Sequence, residues 1–181
     1  MLPSSPVHDM AEVETVVTFL EMKSEPLLHV APPSRLKLML MRAETPTIAF
    51  FRYLYEAVGR NVHWQHFGGL NDTDLATIIH DANIEIWVAY VNGQPGGFFM
   101  IDARPAPAHV ELELFGLLPQ FQGKSLGKWL LAEAIRACWA RKPERVIVKT
   151  STLDNPVALT LFQKLGFEAY DRQTKPVEVD D

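Results

Sequence analysis

Two hydrophobic periods alternate along this chain. Val110-Glu111-Leu112-Glu113-Leu114-Phe115 alternates apolar and charged residues, the period of two that lays one face of a strand on a core. Downstream, Leu126, Leu130, Ala134 and Ala137 recur at helical spacing, and Leu131, Ile135 and Cys138 widen that face. Upstream, Val13 to Leu20 predicts a strand, and Leu36 to Arg42 a second by its strict alternation. Pro26, Pro32 and Pro33 keep the stretch between them irregular. Thr45-Pro46 opens a helix with Ile48, Phe51, Tyr55 and Val58 on one face, and Gly59 ends it. A second helix is expected from about Thr73 to His80, capped by Asn71 or Asp72. Ile84 to Val91, the turn pair Asn92-Gly93 and Gly96 to Asp102 predict a hairpin. Arg145 to Thr150 is another buried strand, and the tail from Arg172 is either a last strand or a frayed end. Mixed strands and helices in this order predict an α/β or α+β fold.

Composition narrows the classes. With 181 residues, 48% of them hydrophobic, the chain can bury the core of one domain, expected to span residues 1–181. A net charge of −5 argues against a nucleic-acid or anionic-membrane surface and tolerates a cationic amine substrate. The lone Cys138 excludes an internal disulfide and suits a small core position. No apolar run reaches membrane-spanning length, and Met1-Leu2-Pro3-Ser4-Ser5-Pro6 lacks the features of a signal peptide, so a cytoplasmic protein is expected.

The chemistry concentrates where the alternating strand meets the helix, at Leu117-Leu118-Pro119-Gln120-Phe121-Gln122-Gly123-Lys124-Ser125-Leu126-Gly127-Lys128. The first N–H groups of a helix have no intrahelical partner and carry partial positive charge. Gly123 and Gly127 let a ligand approach the backbone, and Lys124 and Lys128 add cations, so the junction suits a phosphate. It is neither a Walker A loop nor a dinucleotide fingerprint: Gly123 and Gly127-Lys128-Trp129 miss the first, and Ser125 breaks the second.

What remains resembles Gln/Arg-x-x-Gly-x-Gly/Ala, the acyl-CoA pyrophosphate loop of the GNAT acyltransferase superfamily, with Ser125 in place of the usual middle glycine. A second block, from Thr150 to Phe167, resembles the superfamily's later motif of strand end, Asn, short helix and Gly-Phe. There Asp154 or Asn155 is expected to cap a helix with Pro156 at its first position, and Gly166 to close it. The resemblance is strongest over 84–170 and is similar to a subgroup whose substrates are mostly unassigned. It implies a mixed, mostly antiparallel sheet flanked by helices, with acetyl-CoA as co-substrate and an amine as acceptor. Oligomeric state stays open, a homodimer among its options.

The resemblance also implies roles. Leu117 matches the strand residue whose N–H receives the oxyanion, and Leu117, Leu118, Gln122, Gly123, Lys124, Ser125, Leu126, Gly127 and Lys128 are the expected cofactor-binding stretch. Gly116 either marks the bulge that splays this strand from its neighbour or simply accommodates packing. An amine of pKa about 10.4 must lose a proton before it attacks a thioester. Glu111 and Glu113 share a strand face, and Glu111, similar in position to the family's strand glutamate, is expected to contribute more. Asn155 matches the Asn that touches the pantetheine or pyrophosphate arm, and serves equally as a turn residue. Phe162 stands where a tyrosine often acts as general acid, leaving cofactor contact or core packing as its roles. Tyr170 and Tyr90 are alternative proton donors that sequence alone does not place.

Acceptor choice is expected in the first half, around Tyr53, Tyr55, His63, Trp64, His66 and Phe67. His63-x-x-His66 has no accompanying carboxylate or cysteine pattern, so no metal is expected. Two functions follow: an N-acetyltransferase acting on a small-molecule amine or exposed amino group, or a noncatalytic acyl-CoA-binding or regulatory module of the same fold.

Overall fold

The computed structural model describes residues 10–59, 62, 64 and 66–180. In chain order the elements are β1 (Met10–Met22), β2 (Leu38–Arg42), α1 (Ile48–Gly59), α2 (Asp72–Ile79), β3 (Ile84–Val91), β4 (Gln94–Asp102), β5 (Val110–Leu117), α3 (Leu126–Trp139), β6 (Val146–Ser151), α4 (Ala158–Lys164) and β7 (Glu168–Asp180). The strands form one sheet of order β2-β3-β4-β5-β6-β1-β7. Every neighbouring pair is antiparallel except β5 with β6. This is the mixed, mostly antiparallel sheet with flanking helices that the sequence implied. No helix among the described residues is long and apolar enough to cross a membrane.

The helices follow from their apolar faces and caps. Phe51, Leu54, Tyr55 and Val58 are buried on α1, and Phe51, Tyr55, Trp64, Phe67 and Phe98 pack ring against ring. Asn71 Oδ1 accepts from the Asp74 N–H at 2.9 Å and caps α2. On α3 the buried residues include Leu126, Leu130, Leu131, Ala134, Ile135 and Cys138. A Cβ on Gly116 would point at Val58 of α1, whereas the next side chain, Leu117, lies beside Gly127 of α3. Consecutive strand residues face opposite ways, so α1 and α3 cover opposite faces of the sheet.

The parallel pair is short. β5 and β6 match only at Val110/Val146, Glu111/Ile147 and Leu112/Val148, after which β6 continues along β1 to the Val17/Ser151 pair. Just past that point the β4–β5 register shifts between Met100/Leu114 and Ile101/Leu112, leaving Glu113 as the extra residue of a bulge. A bulge bends its strand and increases the local twist, which turns β5 away from β6.

Two open alternatives are decided and one expectation is corrected. The bulge lies at Glu113, not at Gly116; Gly116 is the packing accommodation, because a Cβ there would stand 2.3 Å from Val58 Cγ1. Neither Asp154 nor Asn155 caps α4, which starts at Ala158 after Val157. Asp154 Oδ2 instead accepts from the Ser151 N–H (2.6 Å) and Thr150 Oγ1 (2.9 Å), and Asn155 Oδ1 from the Val157 N–H (3.1 Å), so both side chains are engaged before the helix begins. The tail is no frayed end: β7 pairs with β1 from Glu168 to Asp180. Gly166 does close α4, at φ +107°, with the Phe167 N–H donating to the Phe162 carbonyl at 3.1 Å.

The Gly116 contact gives a test. Val58 is buried and stiff at χ1, so Gly116→Ala should cost about 1–3 kcal/mol in denaturant unfolding. Adding Val58→Ala should recover part of that loss; strictly additive losses would show that the two residues do not meet.

Candidate active site

The parting of β5 from β6 opens a pocket of about 350 Å³. Its walls are Val58, Val62 and Trp64 beside α1; Leu112, Glu113, Phe115, Gly116 and Leu117 of β5; Val148, Lys149 and Thr150 of β6; and Leu161 and Phe162 of α4. Its far end is built by Gln122, Gly123, Ser125, Gly127 and Lys128 at the start of α3, with Asp154 and Asn155 opposite. Of the residues singled out in sequence, the pocket gathers Glu113, Leu117, Gln122, Gly123, Ser125, Gly127, Lys128, Asn155 and Phe162. It does not gather Glu111, Leu118, Lys124 or Leu126. Leu118 and Leu126 are core residues, and the Lys124 ammonium lies 5.5 Å from the centre of the Phe121 ring.

The backbone at Leu117 is oriented by its neighbour. The Leu118 N–H donates to the Gly96 carbonyl on β4 at 3.0 Å. Successive N–H groups along a strand point to opposite edges, so the Leu117 N–H points away from β4, into the gap that β6 has left. The Leu117 carbonyl points the same way and accepts from Gln122 Nε2 at 3.4 Å. Gln122 Oε1 in turn accepts from Asn155 Nδ2 at 3.5 Å, which ties the phosphate-type loop to the loop before α4.

At the start of α3, Ser125 is the N-cap residue in the left-handed region (φ 59°, ψ 8°), and its hydroxyl makes no capping hydrogen bond. The first N–H groups of α3 therefore lack a capping side chain where Ser125, Gly127 and Lys128 line the pocket, as an anion site needs. A left-handed serine costs on the order of 1–3 kcal/mol, which explains why the related motif favours glycine there.

The charged centre sits at the bulge. Lys149 Nζ lies 3.0 Å from Glu111 Oε1 and 3.6 Å from Glu113 Oε1. Glu113 is only 15% exposed, and burial first, then the negative charge of Glu111, push its pKa up to about 7 against the opposing pull of Lys149. Glu113 thus titrates where a general base is most useful. Sequence reasoning missed Lys149, although it is the lone charged residue in Val146-Ile147-Val148-Lys149-Thr150-Ser151, a strand otherwise apolar or hydroxylic.

The aromatic candidates divide. Trp64 reaches the pocket, whereas Tyr55 and Phe67 are buried together, with the Phe67 N–H donating to the Tyr55 hydroxyl at 3.3 Å. Tyr53 and His66 are exposed, and His63 lies outside the described residues. Tyr170 packs against Phe19 and Arg145, and neither it nor Tyr90 lines the pocket. Phe162 is buried and lies edge-on to Phe115 and Phe167, with centroids 6.0 and 5.8 Å away. No group of three or more His, Cys, Asp or Glu side chains suited to a metal occurs among the described residues.

The fold is thus a mixed sheet flanked by helices, with a pocket where its one parallel pair parts beside the start of α3. Residues 45–167 match the model of the acetyltransferase (GNAT) family, and the chain belongs to that family. Solved structures agree in fold. A functionally unknown conserved protein from Staphylococcus epidermidis superposes with a TM-score of 0.64 at 17% identity, over 94% of this chain and 64% of its own. A candidate GNAT-family acetyltransferase from Novosphingobium aromaticivorans gives 0.61 at 17% identity, over 99% and 71%. An aminoglycoside acetyltransferase from an uncultured soil metagenomic sample gives 0.58 at 14% identity, over 71% and 86%. This chain therefore spans less than two thirds of the first of these proteins. No curated protein matches the chain at a significant level.

The raised Glu113 sets a pH signature. Its folded pKa of about 7 exceeds the ordinary 4.5, so the stability it contributes is complete below about pH 4.5 and is lost as pH rises to about 7. Glutamine cannot ionise. Melting temperatures should therefore show Glu113→Gln gaining on wild type between about pH 5 and 7 and holding a constant lead above that range. A difference that does not change with pH would refute the raised value.

Proposed function

We propose that the protein transfers an acetyl group from acetyl-CoA to a primary amine by direct attack, with Glu113 as the general base. What carries this reading is one pocket that brings together a carboxylate titrating near neutrality, a backbone N–H aimed into a strand gap and an uncapped helix N-terminus. The residues fit the donor. Gly127, Ser125 and Lys128 would hold its pyrophosphate, Gln122 and Asn155 would flank the pantetheine arm, and the thioester it supplies would lie between Leu117 and Glu113.

Each group then has a task. Glu113 accepts the proton of the attacking amine, directly or through water, a step worth roughly 10²–10⁴ in rate. The Leu117 N–H is preorganised to receive the negative charge that develops on the carbonyl oxygen. Phe162 offers no proton, but a CoA thiol resembles cysteine, with a pKa near 8.5, and leaves as thiolate at modest cost. Val58, Val62 and Trp64 would face the acceptor's apolar body. Phe162 also favours a second reading, a module that binds acyl-CoA without turnover.

Two measurements decide. A Cβ at Gly127 would meet Leu117 Cδ1 at 3.6 Å and Leu161 Cδ2 at 3.7 Å, ordinary contacts, and alanine is one of the two residues the related motif takes at this position, so Gly127→Ala should fold, melt slightly higher and keep its CoA affinity. In the larger, branched Gly127→Val, affinity for CoA by calorimetry should fall at least about tenfold while the fold survives, the equivalent of roughly 1.4 kcal/mol. Unchanged affinity in that variant would remove the proposed site. Wild type should release free thiol from acetyl-CoA with some member of an amine panel, faster as pH rises through about 7; binding without release from any amine would leave the noncatalytic module.

A further inference from the structure

Resting on that reading, we propose that Lys149 is a positioning residue of the site, its ammonium bridging Glu111 and Glu113 where β5 and β6 separate and holding Glu113 in place as a proton acceptor. The geometry is specific. Backbone pairing of the two strands ends at Leu112/Val148, so Lys149 and Glu113 are the first residues past the last rung of their strands. Lys149 Nζ reaches Glu111 Oε1 at 3.0 Å and Glu113 Oε1 at 3.6 Å, both within ion-pairing distance of one nitrogen. An ammonium carries three donors and can serve two carboxylates at once. The contact therefore replaces, with side chains, the rung that the backbone no longer supplies.

The charge balance explains why a cation belongs there. Two carboxylates gathered at one place resist ionising together, and burial of Glu113 resists it further. The other groups acting on Glu113 do not replace the ammonium. Asp102 of β4 adds negative charge but is itself paired with Arg104, which follows β4, and Tyr55 of α1 is a buried neutral phenol. Among the described residues, Lys149 alone both touches the two carboxylates and lines the pocket. Its side chain is 46% exposed, so an incoming acceptor can reach the triad without displacing buried protein.

A merely structural lysine would alter melting temperature and nothing else, so the test reads Glu113 directly. In the purified protein, carboxyl carbon NMR would follow the glutamate titrations, with the Glu113 signal assigned by its loss in Glu113→Gln. Lys149→Met, similar in length and uncharged, should move the Glu113 midpoint upward by at least about one pH unit, and Lys149→Arg should restore most of it. Should the Met variant fail to fold, Lys149→Gln carries the same expectation. A midpoint that stays put or falls in a folded, uncharged variant overturns the proposal. In transfer assays the rising limb of the pH profile should shift to higher pH in the uncharged variant and return with arginine. The titration needs neither acyl donor nor acceptor, so its failure is distinct from a failure of CoA binding, which would sink the underlying reading instead.

Discussion

The rest of the site depends on β5 keeping only three rungs of pairing with β6. A parallel pair in mid-sheet normally hides its backbone groups in hydrogen bonds, and leaving them open inside a protein is costly unless something satisfies them. Here β6 remains held on its other side by β1, while β5 remains held by β4 through the Leu118–Gly96 bond. The sheet can thus open in its middle without unravelling. The bulge at Glu113 supplies the bend, and the same extra residue carries the carboxylate into the opening. Strand geometry and acid–base chemistry share one residue.

That arrangement makes the electrostatics local. A single glutamate on a polar strand surface would titrate in the ordinary range, and a fully buried one would stay neutral at working pH. Glu113 sits between these limits because burial and Glu111 push its pKa up while Lys149 pulls it down. The Lys149 ammonium in turn is held charged, since the two carboxylates outweigh the burial that would discharge it. Glu113 and Lys149 each titrate under the other's charge and that of Glu111, so removing any one charge is felt at the groups that remain.

Much of this was legible from periodicity and turn chemistry. Strands 84–91 and 110–115 and helices such as α1 and α2 follow from apolar spacing and from Thr45-Pro46, Asn71 and Gly59, which act within a few residues of themselves. What sequence could not place depends on partners distant along the chain. Gly116 reads locally as either a bulge marker or a packing accommodation, and only the approach of Val58 decides for packing. Glu111 and Glu113 are equivalent by alternation; the bulge that distinguishes them is a property of pairing with β4. Asp154 and Asn155 are the local exception: donors within four residues, at Thr150, Ser151 and Val157, claim their side chains before α4 begins, a turn that competes with the cap their sequence also suits. Lys149 was invisible as a site residue because its partners lie on another strand.

The two departures from the related motif carry different costs, and the difference bears on function. Ser125 keeps the backbone shape that glycine normally provides, so its cost falls on stability, while the helix N-terminus it precedes still borders the pocket. A strained residue retained at a ligand-facing turn fits a loop whose shape matters more than its own energy. Phe162 departs in chemistry rather than shape. Its ring is packed between Phe115 and Phe167, so its position is fixed by the core whether or not a hydroxyl is present. Losing the proton donor would disable a reaction whose leaving group needs one, such as an alkoxide or an amide anion, but a thiolate does not. Under the proposed function, the absent hydroxyl is therefore compatible with a thioester donor, and the proton to be managed is the one on the attacking amine, which that reading gives to Glu113.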